Sequence, residues 1–258
     1  MTLPHVFVPS VQHTGTWFTI DFLRKFFPRN RELTFALEAA EKPEAENIDY
    51  APKYADAAGQ ATILHLHLPI STGINEDSTN GTPFHRKWYA NLKSCRSLPV
   101  STLLLFCNLM KTVVPLRDPL AAILTRETRH PQFRHFCIVD GFVALATEFA
   151  RHPNVVFLPI DRAQDTSERL AILINVAAHV GIDPDDYRET LIELAERWPV
   201  ANDTPGNRFK EAYTAGDMQA LQTMLGPKWA EVEYMKNMMS IILPFLASQG
   251  YRREQFIW

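Results

Sequence analysis

The chain has 258 residues, 46% of them hydrophobic and 21% charged, and this composition predicts one large globular domain. A formal net charge of -3 excludes a general electrostatic attraction to nucleic acid or anionic membranes. The three cysteines are odd in number and lack the spacing of a metal site, so we expect free thiols in a reducing compartment. Residues 1–10 show no signal-peptide pattern, and no apolar run is long enough to cross a bilayer, which predicts a cytoplasmic protein.

The start of the chain predicts a strand, a polar loop and a helix, in that order. Residues 5–8 form a short apolar run closed by Pro9, which is typical of a buried strand. A polar loop follows over residues 10–16, and apolar residues then recur at helical spacing over 17–27. Residues 62–68 alternate between leucine on one face and isoleucine or histidine on the other, which indicates another strand.

The stretch between this strand and the middle of the chain predicts little regular structure. Residues 71–83 are rich in Ser, Thr, Asn and Gly and predict a long loop. A helix is predicted over residues 84–92.

The middle of the chain repeats the strand-to-helix pattern. Residues 112–116 predict a strand that leads directly into Arg117. Asp118 and Pro119 are typical of the N-cap and the first position of a helix, which we expect to run to about residue 129.

The second half predicts a longer helix that includes Phe149, then a strand over residues 155–160. Asp165 and Glu168 resemble a capping box that opens the next helix, and the rest of the chain is mostly helical. Strands that alternate with helices predict an α/β domain with a central, mostly parallel sheet flanked by helices.

The loop after the first strand is a candidate anion cradle. Parallel sheets bind ligands at the carboxyl ends of their strands, next to helix N-termini whose amides attract anions. Gly15 would let the backbone approach a phosphate, and Thr14 and Thr16 carry hydroxyl groups. The alternative is a plain helix N-terminus capped by Thr14. The loop lacks the G-x-x-x-x-G-K-S/T pattern and its lysine, which disfavours a kinase or NTPase.

This segment resembles the PKSGTTW loop that binds the 5′-phosphosulfate in sulfotransferases that use 3′-phosphoadenosine 5′-phosphosulfate. Aligning the glycines places His13 on the family's lysine and Thr14 on its serine. Gly15 and Thr16 fall on its Gly-Thr pair, Trp17 follows, and Phe18 falls on the tryptophan that stacks on adenine. Aligning the tryptophans instead shifts the match by one residue. We prefer the glycine alignment because glycine has a backbone reason to be fixed in place.

A second segment, which runs from Arg117 to Arg126, is similar to the family's RNPKDVAVSYY segment. The resemblance implies that Arg117 and Thr125 bind the 3′-phosphate of the nucleotide. An arginine at the end of a strand can make a forked contact to phosphate. The alternative is a surface arginine near a capped helix.

A third segment, residues 65–69, is similar to the family's KTHLP motif. The resemblance implies that His67 is the general base for the acceptor hydroxyl and that His65 occupies the lysine position. The two histidines have two alternatives, a polar strand edge and a metal pair, and no third ligand with convincing spacing stands out.

The rest of the chain resembles the family less closely. Of an Arg-Tyr-Glu-Asp-like motif that follows a strand in the family, only Asp161 is present. Arg208 and Lys210 are candidates to replace the family's C-terminal basic loop.

Taken as a whole, residues 1–258 are identified as a diverged sulfotransferase with a single P-loop-like domain and a mostly helical C-terminal part. The resemblance implies 3′-phosphoadenosine 5′-phosphosulfate as sulfuryl donor, 3′,5′-adenosine bisphosphate as product and no metal. It implies a small-molecule or glycan acceptor, and neither nucleic acid nor membrane as a partner.

His13 is the main departure from the family, because the lysine it replaces helps the leaving phosphate depart. We expect His13 to take over that catalytic role when it is protonated. The rival interpretations are a non-catalytic adenine-nucleotide-binding protein, a small-molecule kinase, and a metal-dependent hydrolase built on His65 and His67.

Overall fold

The computed structural model describes a β-sheet, the helices that flank it and a helical C-terminal region. The described residues are 5–26, 30–34, 61–68, 100–129, 137–163, 165–198 and 208–258. The predicted loop over residues 71–83 and the predicted helix over 84–92 lie outside them.

Five strands form one sheet in which every neighbouring pair is parallel. They are β1 (His5–Ser10), β2 (Asn30–Thr34), β3 (Ala61–His67), β4 (Lys111–Leu116) and β5 (Val155–Pro159). Their order across the sheet is β2-β3-β1-β4-β5. β1 therefore lies at the centre, between β3 and β4.

Ten α-helices connect or follow these strands in the described part of the chain. They are α1 (Thr16–Phe26), α2 (Val100–Leu109), α3 (Pro119–Arg129), α4 (Cys137–Ala144), α5 (Thr166–His179), α6 (Arg188–Glu196), α7 (Lys210–Thr214), α8 (Met218–Leu225), α9 (Trp229–Asn237) and α10 (Met239–Ser248). The α/β fold with a parallel central sheet flanked by helices is confirmed.

The two faces of the sheet pack into two apolar clusters, as the two-residue period of a strand dictates. In β1, Phe7 belongs to the cluster that also contains residues of α3, α4 and the C-terminal helices. Its neighbours Val6 and Val8 belong to the opposite cluster, with residues of α1, α5 and α6. All three side chains are fully buried, which explains why β1 is apolar from Val6 to Val8 rather than alternating.

Three local features differ from the sequence-based expectation. β1 continues through Pro9, which pairs with Leu66 of β3, so the proline does not end the strand. β2 was not predicted, because its sequence NRELT offers a single apolar residue, and its position at the sheet edge tolerates polar side chains. The helix expected to include Phe149 changes to a π-helical turn over Leu145–Phe149.

The predictions that Asp118 and Asp165 cap helices are confirmed. The Asp118 carboxylate accepts a hydrogen bond from the amide of Leu120 at the start of α3, 3.0 Å away. The Asp165 carboxylate accepts one from the amide of Glu168, 2.8 Å away, and opens α5. Each cap satisfies an amide that has no partner within its helix.

Within the described ranges, no helix combines the length and the apolar character that crossing a membrane requires.

The strand order creates a switch point beside β1. From β1 the chain passes to β2 and β3 on one side of the sheet, and then to β4 on the other side. The connections that leave β1 and β4 therefore diverge, and in open α/β sheets ligands bind at such a switch point. We call the region between the carboxyl ends of these two strands the crevice. Residues 11–15 follow β1, and Arg117 and Asp118 follow β4, so the two main sequence motifs meet at this crevice.

Candidate functional site

The loop between β1 and α1 is tight and internally hydrogen-bonded. The Thr14 hydroxyl donates to the carbonyl oxygen of Val11 at 2.7 Å, and the Thr16 hydroxyl donates to Ser10 Oγ at 2.8 Å. Both threonines are buried, and their hydroxyl groups hold the loop in shape. A ligand would therefore be met chiefly by backbone amides of this loop and of the first turn of α1.

Two residues of this loop adopt left-handed backbone conformations. His13 has φ 63°, which is uncommon for a residue other than glycine, and Gly15 has φ 102°. A Cβ atom on Gly15 would lie 1.8 Å from Cδ1 of Ile160, the residue that follows β5. Position 15 therefore excludes a side chain for two independent reasons, backbone conformation and space.

Arg117 joins this loop to helix α3. Its Nη1 donates to the carbonyl oxygen of His13 at 3.1 Å and to the hydroxyl of Thr125 at 3.4 Å. The Thr125 hydroxyl in turn donates to the carbonyl oxygen of Ala121 at 2.8 Å. Arg117 is only 6% exposed, so it is not the surface arginine of the alternative interpretation. The two segments that the sequence assigned to opposite ends of one ligand lie in direct contact.

The charge of Arg117 is balanced by acidic groups behind it. Burial lowers the pKa of its guanidinium, and the carboxylates of Asp161 and Asp118 oppose that shift. Within the described residues, both hydrogen bonds of the Arg117 side chain leave from Nη1, so Nη2 and Nε remain able to donate to an anion.

Three aromatic residues from the C-terminal region bind these acidic groups, and no motif or spacing in the sequence had indicated them. The Tyr213 hydroxyl donates to Oδ2 of Asp118, and the Trp258 indole donates to Oδ1, both at 2.6 Å. The Tyr251 hydroxyl donates to Oδ1 of Asp161 at 2.7 Å. The Asp118 amide donates to Oδ2 of Asp161, also at 2.7 Å, so the two acidic residues form one connected unit.

Asp118 is almost completely removed from solvent, with 3% of its surface exposed. Burial and then the negative charge of Asp161 raise the pKa of Asp118 to about 6, against the opposing effect of its three hydrogen-bond donors. Its side chain is therefore close to titrating at neutral pH.

The end of β3 borders the same crevice. His65 is buried, and its Nε2 lies 3.4 Å from Ser10 Oγ. The backbone of His67 pairs with Ser10 at the carboxyl end of β1, and the Leu68 amide donates to the Ser10 carbonyl at 2.9 Å. The backbone position of His67 is thus next to the loop, while its role as general base stays a prediction.

The two aromatic residues at the start of α1 have different surroundings. The Phe18 ring is half-buried and packs against Trp198, with 5.1 Å between ring centroids. Trp17 is 61% exposed, and its ring centroid lies 6.3 Å from that of His65. The assignment of Phe18 to the adenine-stacking position stays a prediction.

His65 belongs to no described metal-binding group, and Arg208 has bonding partners within the protein. Among the described residues, no group of three or more histidine, cysteine, aspartate or glutamate side chains is arranged to hold a metal ion. Arg208 donates to the carbonyl oxygen of Met224 and lies 5.2 Å from the ring centroid of Phe209.

Comparison of the chain with family models, with curated proteins and with solved structures finds no significant match.

Proposed function

We propose that this protein is a cytoplasmic sulfotransferase with a P-loop-like fold. It transfers a sulfuryl group from 3′-phosphoadenosine 5′-phosphosulfate to a hydroxyl or amine of a small-molecule or glycan acceptor. The observation that carries the proposal is the bridge from Arg117 to both His13 and Thr125 at the switch point of the sheet. A doubly phosphorylated ligand needs two anion sites side by side, and this bridge brings together the two segments that we propose to bind the two anionic groups.

The residues fit such a nucleotide in their chemistry. The backbone amides of the loop around Gly15 can donate to an anion, and the left-handed conformation of Gly15 shapes that loop. The helix dipole of α1 adds partial positive charge at the same place. Arg117 supplies a cation for the second phosphate, and the Thr125 hydroxyl can rotate from the Ala121 carbonyl to donate to it.

We assign the following roles to these residues in the proposed reaction. The loop amides orient the phosphosulfate, and Arg117 with Thr125 holds the 3′-phosphate. His67 accepts the proton of the acceptor as its oxygen or nitrogen forms a bond to sulfur. The bond between sulfur and the bridging oxygen of the donor breaks, and 3′,5′-adenosine bisphosphate leaves with the electron pair. His13 stabilises that departing charge when it is protonated.

A direct binding measurement tests the proposal. Isothermal titration calorimetry with 3′,5′-adenosine bisphosphate should show saturable binding by the wild-type protein and strongly reduced binding by Arg117→Ala. Absence of measurable affinity at millimolar concentration would refute both the nucleotide site and the enzyme. A turnover assay with the sulfuryl donor and a panel of phenols, alcohols, amines and glycans then tests the chemistry.

A non-catalytic adenine-nucleotide-binding protein is the second candidate. The absence of a lysine in the loop favours this candidate, because a protein that only binds the nucleotide needs no cation to help the phosphate leave. Binding of the bisphosphate without turnover on any acceptor class would support this alternative. ATP binding in preference to the bisphosphate would instead support a kinase.

A further inference from the structure

A pair of acidic residues lies close enough to Arg117 for their charges to act on its guanidinium. Asp118 follows Arg117 in the chain, and its amide donates to the carboxylate of Asp161 at 2.7 Å. We call Asp118 and Asp161 the carboxylate pair. Both carboxylates attract the guanidinium of Arg117 electrostatically. An anion that binds to Arg117 therefore enters a region that already contains two negative charges.

The carboxylate pair is held in place by neutral donors rather than by additional cations. Tyr213 and Trp258 donate to Asp118, and Tyr251 donates to Asp161. Burial raises the pKa of both tyrosines, so they remain neutral hydroxyl donors at physiological pH. Among the described residues near the pair, Arg162 is a further cation, and its charge lowers the pKa of Tyr251.

We propose that the carboxylate pair makes anion binding at Arg117 dependent on proton uptake by Asp118, so that binding strengthens as the pH falls. This regulation rests on the proposed function for the identity of the nucleotide, but it concerns any anion that binds Arg117.

Electrostatics gives the direction of the effect. An added anion near Asp118 disfavours its ionised form, because like charges repel more strongly in a buried environment. The pKa of Asp118 is about 6 before any anion binds, so a further rise moves its titration into the neutral range. By linkage, an anion that favours the protonated form of Asp118 is itself bound more tightly by that form.

The hydrogen bonds can accommodate the proton without a large rearrangement. Oδ1 of Asp118 already accepts from the Leu120 amide and the Trp258 indole, and it can keep both bonds. A proton on Oδ2 can be donated to the Tyr213 hydroxyl, which is 2.6 Å away and able to reverse its role from donor to acceptor. The cap of α3 and the position of Arg117 are therefore preserved.

Calorimetric titrations with inorganic sulfate and with 3′,5′-adenosine bisphosphate test this inference between pH 5.5 and 7.5. Sulfate keeps a constant charge in this range, which separates ligand titration from protein titration. For the wild-type protein we expect sulfate affinity to fall about tenfold across the range, the effect of a shift of about one pKa unit. Buffers with different ionisation enthalpies should reveal proton uptake on binding.

Three variants assign the effect to Asp118. Asp118→Asn should bind sulfate with little pH dependence and without proton uptake. Asp165→Asn is the matched control, because Asp165 also caps a helix but is exposed. Asp165→Asn should therefore retain the pH dependence of the wild-type protein. Tyr213→Phe removes a hydrogen bond that lowers the pKa of Asp118. This variant should therefore move the midpoint of the pH dependence of sulfate binding to higher pH.

The outcomes separate this inference from the proposed function. Wild-type binding that is independent of pH, a pH dependence that persists in Asp118→Asn, or an unmoved midpoint in Tyr213→Phe would each overturn the inference. The midpoint in Tyr213→Phe decides the matter if Asp118→Asn does not fold. Sulfate binding with Asp118-dependent proton uptake, but no binding of the bisphosphate, would uphold the inference and reject the nucleotide. If neither sulfate nor the bisphosphate binds, both this inference and the proposed function are wrong.

Discussion

Arg117 donates a hydrogen bond to the backbone carbonyl oxygen of His13, 3.1 Å away, although 104 residues separate them along the chain. The carbonyl belongs to a residue in a left-handed conformation, and the donor is buried. The arginine thus helps to hold the loop in an uncommon backbone geometry while it offers charge to the crevice. A substitution at either residue should therefore alter the local structure around the other.

Replacing Arg117 with alanine should therefore have two effects. We expect the free energy of unfolding to fall by about 1–3 kcal/mol, because the His13 carbonyl loses a charged donor. Affinity for 3′,5′-adenosine bisphosphate should fall by roughly tenfold to several hundredfold, the value of one or two charge-assisted hydrogen bonds. Urea denaturation and calorimetry measure the two quantities.

Arg197→Ala is the matched control for this change. Arg197 forms an exposed ion pair with Glu193 in the same turn of helix, and its loss should cost well under about 1 kcal/mol and leave the ligand affinity unchanged. Equal loss of nucleotide and acceptor binding in Arg117→Ala, or loss of neither, would contradict the assignment of Arg117 to the nucleotide.

Gly15→Ala should destabilise the protein and weaken anion binding. A left-handed conformation costs an alanine roughly 1–2 kcal/mol, and the new Cβ also collides with Ile160. Gly181→Ala is the control for the backbone effect alone, because Gly181 has φ 83° and no heavy atom within 4 Å of an added Cβ. Thermal denaturation of both variants should show a larger loss for Gly15→Ala.

The collision with Ile160 can be isolated in a double variant. Ile160→Val removes Cδ1, the atom that would lie 1.8 Å from the new methyl group. We expect Gly15→Ala with Ile160→Val to recover part of the lost stability relative to Gly15→Ala. No recovery would mean that the backbone conformation alone forbids a side chain at position 15.

His13→Lys tests the catalytic role assigned to the histidine. If protonated His13 stabilises the departing phosphate, wild-type activity should fall as the pH rises and the imidazolium loses its proton. A lysine keeps its charge to a much higher pH, so the variant should extend activity to alkaline pH. An unchanged rate together with an unchanged pH profile would argue against the role of His13.

Trp17 and Phe18 should respond differently to truncation. Trp17→Ala should change the free energy of unfolding by less than about 0.5 kcal/mol, because the side chain is mostly exposed. Phe18→Ala should lower it by about 2 kcal/mol, because the ring packs against Trp198. The glycine alignment also predicts weaker binding of the bisphosphate nucleotide by Phe18→Ala. A binding loss confined to Trp17→Ala would favour the tryptophan alignment.

A buried ion network between α3 and α9 predicts a pH dependence of stability. Glu231 of α9 pairs with Arg126 of α3, which also pairs with Glu127, and all three are buried. Burial raises the pKa of Glu231 from 4.5 to about 7, while the charge of Arg126 opposes the rise. The folded protein therefore holds this proton more tightly than the unfolded chain does.

This linkage has a definite sign. The contribution of Glu231 stabilises the fold fully below about pH 4.5 and is lost as the pH rises to about 7. The free energy of unfolding of the wild type, relative to Glu231→Gln, should fall by about 3 kcal/mol over that interval. Urea denaturation at several pH values measures it, with the exposed Glu193→Gln as control. Parallel pH profiles of wild type and Glu231→Gln would contradict the expectation.

Local sequence patterns were sufficient for most of the sheet and for the helix caps. Four of the five strands were predictable, because burial of one or both strand faces produces an apolar run or an alternating pattern in the sequence. These strands are β1, β3, β4 and β5. Asp118 and Asp165 were predictable as caps because capping depends on residues two or three positions away. These features are decided by near neighbours in the chain, which a sequence displays directly.

The surroundings of the candidate site were not predictable in the same way. Tyr213, Tyr251 and Trp258 contact the carboxylate pair from 90 to 140 residues further along the chain. Nothing in their local sequence distinguishes them from other aromatic residues of the core. Likewise, the requirement for glycine at position 15 comes partly from Ile160, which only the folded arrangement brings near.

The contact between Trp258 and Asp118 also has a consequence for the order of events during synthesis. The strands and loop that form the crevice leave the ribosome long before residue 258 has been added. Until then Asp118 lacks its indole donor, and the turn that presents Arg117 lacks one of its supports. A nascent chain can therefore assemble its sheet early, whereas the full support of the turn that presents Arg117 must await Trp258, 140 residues after Asp118.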